Sequence, residues 1–270
     1  MQEAKKAMEH LIEAIILGIV QGLTEWIPIS STGHLRLVQY FLGLSVPILF
    51  DVILHVGTLI VVLAFFRSEV RKTLSALAHL DFETEYGKMV PLIIVGVVPT
   101  LSIGLVFGNL IEDTFQDILP IAIALIFCGL MLYSSKVGKQ KTDSIGYTTA
   151  IIMGIAQGIA IIPGISRSGA TIAVALLLGI KREKAFSFSF LLSIPAILGA
   201  LSLTIYSGLG ELTVASLGWI EILAGLITAM LVGYFALKLL WKTIVKGKFH
   251  LFAFYCWLLG AVLILMSGVF

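Results

Sequence analysis

Two polar, glycine-rich interruptions at membrane depth constrain this chain more than any other feature of it. The apolar stretch from Leu11 to Gly43 is cut by Pro28-Ile-Ser-Ser-Thr-Gly33, and the stretch from Ile145 to Ile180 by Pro163-Gly-Ile-Ser-Arg-Ser-Gly169. Broken backbone leaves N–H and C=O groups unpaired, which hydrocarbon does not tolerate unless protein or a water-filled cavity surrounds them. Each stretch is therefore expected to form two half-length helices folded back as a re-entrant hairpin, its tip lining an interior cavity. The setting is lipid: 59% of the 270 residues are apolar and 13% charged, against roughly 25% charged in a soluble domain. Six further stretches approach the ~20 apolar residues that cross a bilayer. They run from Val46 to Phe66, Met89 to Phe107, Leu119 to Tyr133, Ala185 to Tyr206, Leu217 to Leu239 and Leu251 to Phe270, the third short and borrowing from its flanks. The expected fold is all-α integral membrane, with six transmembrane helices plus two re-entrant helical hairpins.

The interruptions are copies of one unit. Residues 14–33 align without a gap to residues 150–169, an offset of 136, with ten identities in twenty positions. The matches include Ala14 with Ala150, Gly18 with Gly154, Gln21 with Gln157, Gly22 with Gly158, Ser30 with Ser166 and Gly33 with Gly169, and the register continues to Gly43 with Gly179 and Phe50 with Phe186. Within one membrane domain, 1–270, repeat one covers approximately residues 10–135 and repeat two approximately 146–270. Three full spans separate the hairpins, an odd number, so the second copy is inverted. In inverted-repeat membrane proteins, paired broken helices mark the binding site.

Basic residues segregate to match, as cytoplasmic loops require. Arg67, Arg71, Lys72, Lys88, Lys136, Lys139, Lys141, Lys181, Arg182, Lys184, Lys238, Lys242, Lys246 and Lys248 fall on one set of alternate loops. The other set receives Lys5 and Lys6 and carries Glu112, Asp113, Asp117 and Glu211. A single kinked crossing at either break, which proline alone would permit, would scatter this pattern. Hairpin one is expected to enter from outside and hairpin two from the cytoplasm, with both termini outside. A net charge of +2 gives no reason to expect nucleic acid. The first apolar run is interrupted by Gln21 and Glu25 and is followed by no small-residue cleavage site, so a cleaved signal peptide is not expected. Cys128 and Cys256 lie in apolar runs without Cys or His at metal-ligand spacing, and read as free thiols facing lipid or core.

The tips carry the chemistry. A helix N-terminus presents unpaired N–H groups and a partial positive charge, a ready anion site. Two such termini follow Ser30-Ser31-Thr32-Gly33 and Ser166-Arg167-Ser168-Gly169. Arg167 adds a planar, permanently charged fork suited to phosphate, and an arginine left unpaired at that depth costs ~3 kcal/mol or more. Simple pairing of Arg167 with Glu25 is the alternative. Gln21 and Glu25, four residues apart, share one helix face. His34 can act as nucleophile or base toward phosphorus, and a carboxylate can orient it, accept a proton or hold a divalent cation.

The segments QGLTEWIPISSTGH, Gln21 to His34, and PGISRSGAT, Pro163 to Thr171, resemble the two signature motifs of the undecaprenyl-diphosphate phosphatase family, also known as the bacitracin-resistance protein family. The similarity in span pattern extends over essentially the whole chain. The family motif opens with Glu or Gln, then three residues, then Glu. Gln21 takes the variable place here, leaving one carboxylate where a paired site would have two. The resemblance implies hydrolysis of undecaprenyl diphosphate to undecaprenyl phosphate and inorganic phosphate in the bacterial plasma membrane, recycling the carrier for cell-wall synthesis and conferring bacitracin resistance. It implies that Glu25 assists the chemistry or holds Mg2+ (or Ca2+), that His34 is the nucleophile or base with Ser31 its rival, and that Ser30 positions the phosphates. It also implies that Arg167 grips the diphosphate with Ser166, Ser168 and Thr171. Gln21, Thr32, Gly33 and Gly169 complete the expected phosphate-binding set. A transporter or flippase of the polyprenyl phosphate using the same site is the competing reading, and a homodimer is compatible with either.

Other polar residues carry weaker expectations. Arg36 is expected to snorkel, His55 and Asp51, at i+4 and i, to share a structural hydrogen bond, and Glu221 to lie at an interface. Phe41, Phe50, Phe186, Phe188 and Phe190 are candidates for a greasy path beside the site.

Overall fold

The structure, a computed structural model, describes residues 2–44, 48–207 and 218–267. The expected span starts at Val46 and Leu217, the end at Phe270 and the acidic Glu211 lie outside the described residues. So do the side chains of Lys5, Lys6 and Glu112.

Eleven α-helices are described: α1 (Gln2–Trp26), α2 (Ser31–Leu42), α3 (Ile48–Phe65), α4 (Arg67–Ala78), α5 (Met89–Thr114), α6 (Ile118–Ser134), α7 (Tyr147–Ile159), α8 (Arg167–Leu177), α9 (Arg182–Ser207), α10 (Trp219–Val245) and α11 (Phe252–Ser267). The helices α5, α6, α9, α10 and α11 are long and apolar enough to cross a membrane, and α3 with α4 qualifies as a pair bent by 84°. The protein is therefore a multi-spanning membrane protein. α3 supplies the sixth span, and α4, with Arg67, Arg71 and Lys72 along its length, turns away where the chain would reach the lipid–water boundary. That helix is not anticipated by hydropathy, because it is amphipathic and no Gly or Pro marks the bend. α1 also departs from a half-length expectation: its 25 residues extend back through Gln2–His10, a polar stretch of good helix formers with no breaker in it.

Both broken segments double back. In hairpin one, Leu35 and Val38 of α2 pack with Ala14, Leu17 and Val20 of α1, so the chain retraces its path after the turn at Ile27–Ser30. In hairpin two the two ends are tied to each other: Lys141 N–H donates to Gly179 O at 2.7 Å and Lys181 N–H to Thr142 O at 2.8 Å. The segment thus leaves on the side where it entered.

Helix partners are exchanged between the halves. α1 packs along α10, and α7 along α5, while α6 lies against α11. The matched glycines make the first two contacts possible: a Cβ at Gly18 would stand 2.6 Å from Gly225 O, and one at Gly22 2.6 Å from Ala229 O. In the other pair Gly158 lets Ile103 in at 2.6 Å from where its Cβ would be. Small residues four apart allow such close backbone approach in membranes. Much of the repeat's identity is therefore packing, with the chemistry confined to the tips.

The basic loops meet at one end of the bundle. Lys184 pairs with Glu85 at 2.5 Å and Lys181 with Asp143 at 2.9 Å, and Arg182 lies against Gly247. Phe50, Phe186, Phe188 and Phe190 are fully buried in the helix core. Trp26, Phe66 and Trp241 stack around the last group. Buried to this extent they are packing residues rather than open walls for a lipid tail, although Phe188 borders a cavity at the basic end beside Lys88 and Lys184. Phe41 stays exposed.

Candidate active site

The hairpin tips are stitched together. Ser30 caps α2 and Ser166 caps α8, each side-chain oxygen accepting from the N–H three residues on, Gly33 and Gly169. Ser30 Oγ also accepts the N–H of Gly164 from the opposite hairpin at 2.9 Å, and Ser168 Oγ donates back to Trp26 O at 3.0 Å. The contact is close enough that a Cβ at Gly169 would lie 3.2 Å from Pro28 Cβ, and one at Gly33 3.2 Å from Gly164 N. Ser30 adopts φ 73°, a backbone region that an L-residue occupies only when its surroundings hold it there. Two hydrogen bonds to its hydroxyl supply that hold. Cys128 and Cys256 close the crossing from below: both are buried, with Sγ 4.0 and 3.7 Å from Pro28 O.

Around this crossing lies a polar cavity of about 130 Å3 lined by Thr24, Glu25, Ser30, Ser31, Thr32, His55, Ala160, Ile165, Ser166 and Arg167. Glu25 is its centre. Arg167 Nη2 approaches Glu25 Oε1 at 2.5 Å, Ser31 Oγ donates to Glu25 Oε2 at 2.6 Å, and Gln21 Nε2 donates to the same oxygen at 3.2 Å. Glu25 is 8% exposed and the Arg167 side chain 16%. The pair is nearly sealed, with Arg167 also 5.5 Å above the Trp26 ring. Ion pairing of Arg167 with Glu25, open at the level of sequence, is therefore present, and it faces the cavity.

His55 Nε2 stands 3.8 Å from Glu25 Oε2. Its Nδ1 meets Asp51 O at 2.8 Å, while the Asp51 carboxylate receives Gln39. The expected local bond is thus to the backbone, and it aims the other ring nitrogen into the site. Sequence reading undervalued this residue. Its signal was an ionisable side chain inside a span, which is expensive without a role.

His34 is placed elsewhere. Its Nδ1 is 2.8 Å from Ser30 O and its Nε2 2.7 Å from Tyr255 Oη of α11, with the two rings stacked. It braces the tip from the far side of α2 and does not line the cavity. Thr171 bonds Ser189 at 2.6 Å and Arg167 O at 2.9 Å, securing α8 behind the arginine. Arg36 donates to Phe115 O, away from the cavity.

The arrangement suits an anion with two phosphate groups. The first N–H groups of α2 and α8 have no intrahelical acceptor, and both helix starts border one cavity with a guanidinium, a hydroxyl and a carboxylate. Metal coordination fits poorly. Glu25 is the one carboxylate among the lining residues, both its oxygens are engaged, and no cluster of three or more potential ligands occurs among the described residues.

Comparison with known proteins agrees over nearly the full length. The family described as bacitracin resistance protein BacA matches residues 14–262. A protein of Halothermothrix orenii named undecaprenyl-diphosphatase is 42% identical over 269 residues, covering 97% of this chain and 100% of the relative. One of the same name from Treponema denticola is 44% identical, covering 93% and 95%, and one from Korarchaeum cryptofilum 40%, covering 94% and 98%.

Proposed function

Because this chain belongs to the bacitracin resistance protein family, we propose that its cavity hydrolyses the terminal phosphate of undecaprenyl diphosphate, releasing inorganic phosphate and undecaprenyl phosphate. The observation that carries this reading is the convergence of Arg167, Glu25 and Ser31 at two opposed helix N-termini. It returns the lipid carrier to cell-wall synthesis and lowers the pool of diphosphate that bacitracin sequesters.

Ser31 is the better-placed nucleophile. Its Oγ attacks the terminal phosphorus while Glu25 Oε2, 2.6 Å away, accepts its proton. His55 Nε2 faces the same oxygen at 3.8 Å, without a hydrogen bond to it. The anhydride P–O bond breaks, the lipid monophosphate leaves, and water then cleaves the phosphoserine to give inorganic phosphate. Arg167 turns from Glu25 to the phosphates as negative charge accumulates, an electrostatic role in which a single donor is worth ~2.7–4 kcal/mol. Ser30, Thr32, Gly33, Ser166, Ser168 and Gly169 shape the N–H cradle. His34 holds the Ser30 carbonyl and so the tip. Were a divalent cation such as Mg2+ or Ca2+ to accompany the diphosphate, Glu25 is the one carboxylate among the lining residues that would meet it, and no step here depends on it. Hairpin one opens outward and both termini lie outside, the reading supported by the segregated basic loops.

The test is phosphate release by the purified full-length protein in detergent, where no transbilayer gradient exists. Hydrolysis that collapses in Ser31→Ala and Arg167→Ala supports the enzyme. Absent hydrolysis together with lipid flipping in vesicles would replace it with the transporter reading.

A further inference from the structure

The second cavity of interest lies on the other side of Arg167. It has a volume of about 180 Å3, and is lined by Leu101, Gly104 and Leu105 of α5, Ala196 and Ala200 of α9, and Ile161, with Thr100 and Gln157 at its inner end and Ala160 and Arg167 on the wall it shares with the polar cavity. The repeat register identifies it. Adding 136 to Thr24, Glu25 and Ser31 of the polar cavity gives Ala160, Ile161 and Arg167. Both clefts are thus the same place in the two copies of the unit. Each even keeps its matched glutamine bonded to a threonine of a neighbouring helix, Gln21 to Thr58 and Gln157 to Thr100.

What differs is polarity. Hydroxyl and carboxylate at 24 and 25 become methyl and sec-butyl at 160 and 161, and the facing helices contribute aliphatic and small side chains. Gly104 widens the groove, since a Cβ there would meet Ile161 Cδ1 at 3.1 Å. Leu105 is 68% exposed at its lip, on spans that face lipid, so a hydrocarbon can enter sideways from the bilayer without crossing water.

We infer that the groove between α5 and α9 binds the isoprenoid units next to the diphosphate ester, so that the duplicated cleft of repeat two serves as the tail site for the head site of repeat one. The inference rests on the reading of the first cavity as the diphosphate site. One occupant is specified, a branched hydrocarbon chain carrying a diphosphate, because the groove is apolar and adjoins the polar cavity, with Ala160 and Arg167 lining both. A chain arriving from lipid gains little by exchanging one hydrocarbon surrounding for another, so the groove favours polyprenyl over small diphosphates by fitting the methyl-branched units and holding the attached diphosphate at the polar cavity.

Two measurements on the full-length protein in detergent decide it. A farnesyl diphosphate bearing a diazirine on the unit nearest the ester should label residues 100–105 or 196–203, and excess unlabelled polyprenyl diphosphate should suppress that labelling. Adducts on other segments, or labelling that a diazirine phosphatidylcholine reproduces with equal efficiency, would overturn the tail site. Gly104→Leu and Ala200→Leu, by overfilling the groove, should each lower the ratio of kcat/KM for a long polyprenyl diphosphate to that for isopentenyl diphosphate about tenfold, whereas Ile94→Trp on the lipid face should not. An unchanged ratio in both groove variants sinks the proposal. Failure of the head-site reading looks different: wild-type protein would release phosphate from neither substrate, while labelling would still report on the groove.

Discussion

Hairpin one and hairpin two share a backbone plan and half their residues, yet they do opposite jobs. Both have a serine cap, a glycine three residues on, a Gln-Gly pair and close helix packing at the two matched glycines. Of the ten positions that differ, two carry the contrast in charge and nucleophile. Where hairpin one has Glu25 and Ser31, hairpin two has Ile161 and Arg167. Because the tips cross, the arginine of the second reaches the carboxylate of the first, and one site is assembled from unlike halves. The lesson is that duplication supplied two frames of equal shape, and the chemistry came from making them unequal.

The sharpest way to break this comparison is to remove the unequal residues. Arg167→Ala and Glu25→Ala should each reduce phosphate release about 100- to 1,000-fold, and Arg167→Lys should recover only part, because an ammonium lacks the fork. Exchanging the pair, Glu25→Ile with Ile161→Glu, should leave activity as low as Glu25→Ile alone, since position 161 faces the α5–α9 groove. Restored activity would show the two frames to be interchangeable. Next come the caps. Ser30→Ala removes both the cap and the bond from Gly164, whereas Ser166→Ala removes a cap without such a crossing bond. Losses of about 2 and about 1 kcal/mol respectively are expected in thermal unfolding in detergent.

The packing glycines differ in a similar way. A Cβ at Gly22 meets backbone of α10, at Ala229 O and Gly233 N, while one at Gly158 meets the movable side chain of Ile103. Gly22→Ala should cost about 1–3 kcal/mol and Gly158→Ala less, as read from the relative loss of melting temperature. The smallest effect belongs to the basic end. The hydrogen bond and charge of Lys184 hold the exposed Glu85 carboxyl below its usual range. That contribution is present above the ordinary carboxylate pKa and is lost as pH falls through the lowered one. Lys184→Ala should change stability by under about 1 kcal/mol near neutral pH, and the difference from wild type should vanish in acid.

Much of this was legible in the residues themselves. The two breaks, their copying, the six spans and the meeting of Glu25 with Arg167 follow from hydropathy, register and the intolerance of lipid for unpaired polar groups. The failures share a cause, which is that direction on a helix is set by neighbours. Phe186 and Phe190 share one side of α9 and Phe188 lies on another, yet all three are buried because other helices surround that end. His34 and Ser31, three residues apart on α2, end on different structures, one on Tyr255 and one on Glu25. His55 enters the site only because α3 packs beside α1. The α3–α4 bend had no proline or glycine to announce it.

The exchange of helix partners has a consequence for how the chain is made. Gly18 and Gly22 nest against Gly225 and Ala229, some two hundred positions downstream, so α1 packs on α2 and α3 soon after it is made but keeps its glycine face uncovered until α10 has been delivered. A nascent chain released between the two repeats would carry an uncovered glycine seam, a natural mark by which quality control could distinguish an unfinished molecule from a completed one.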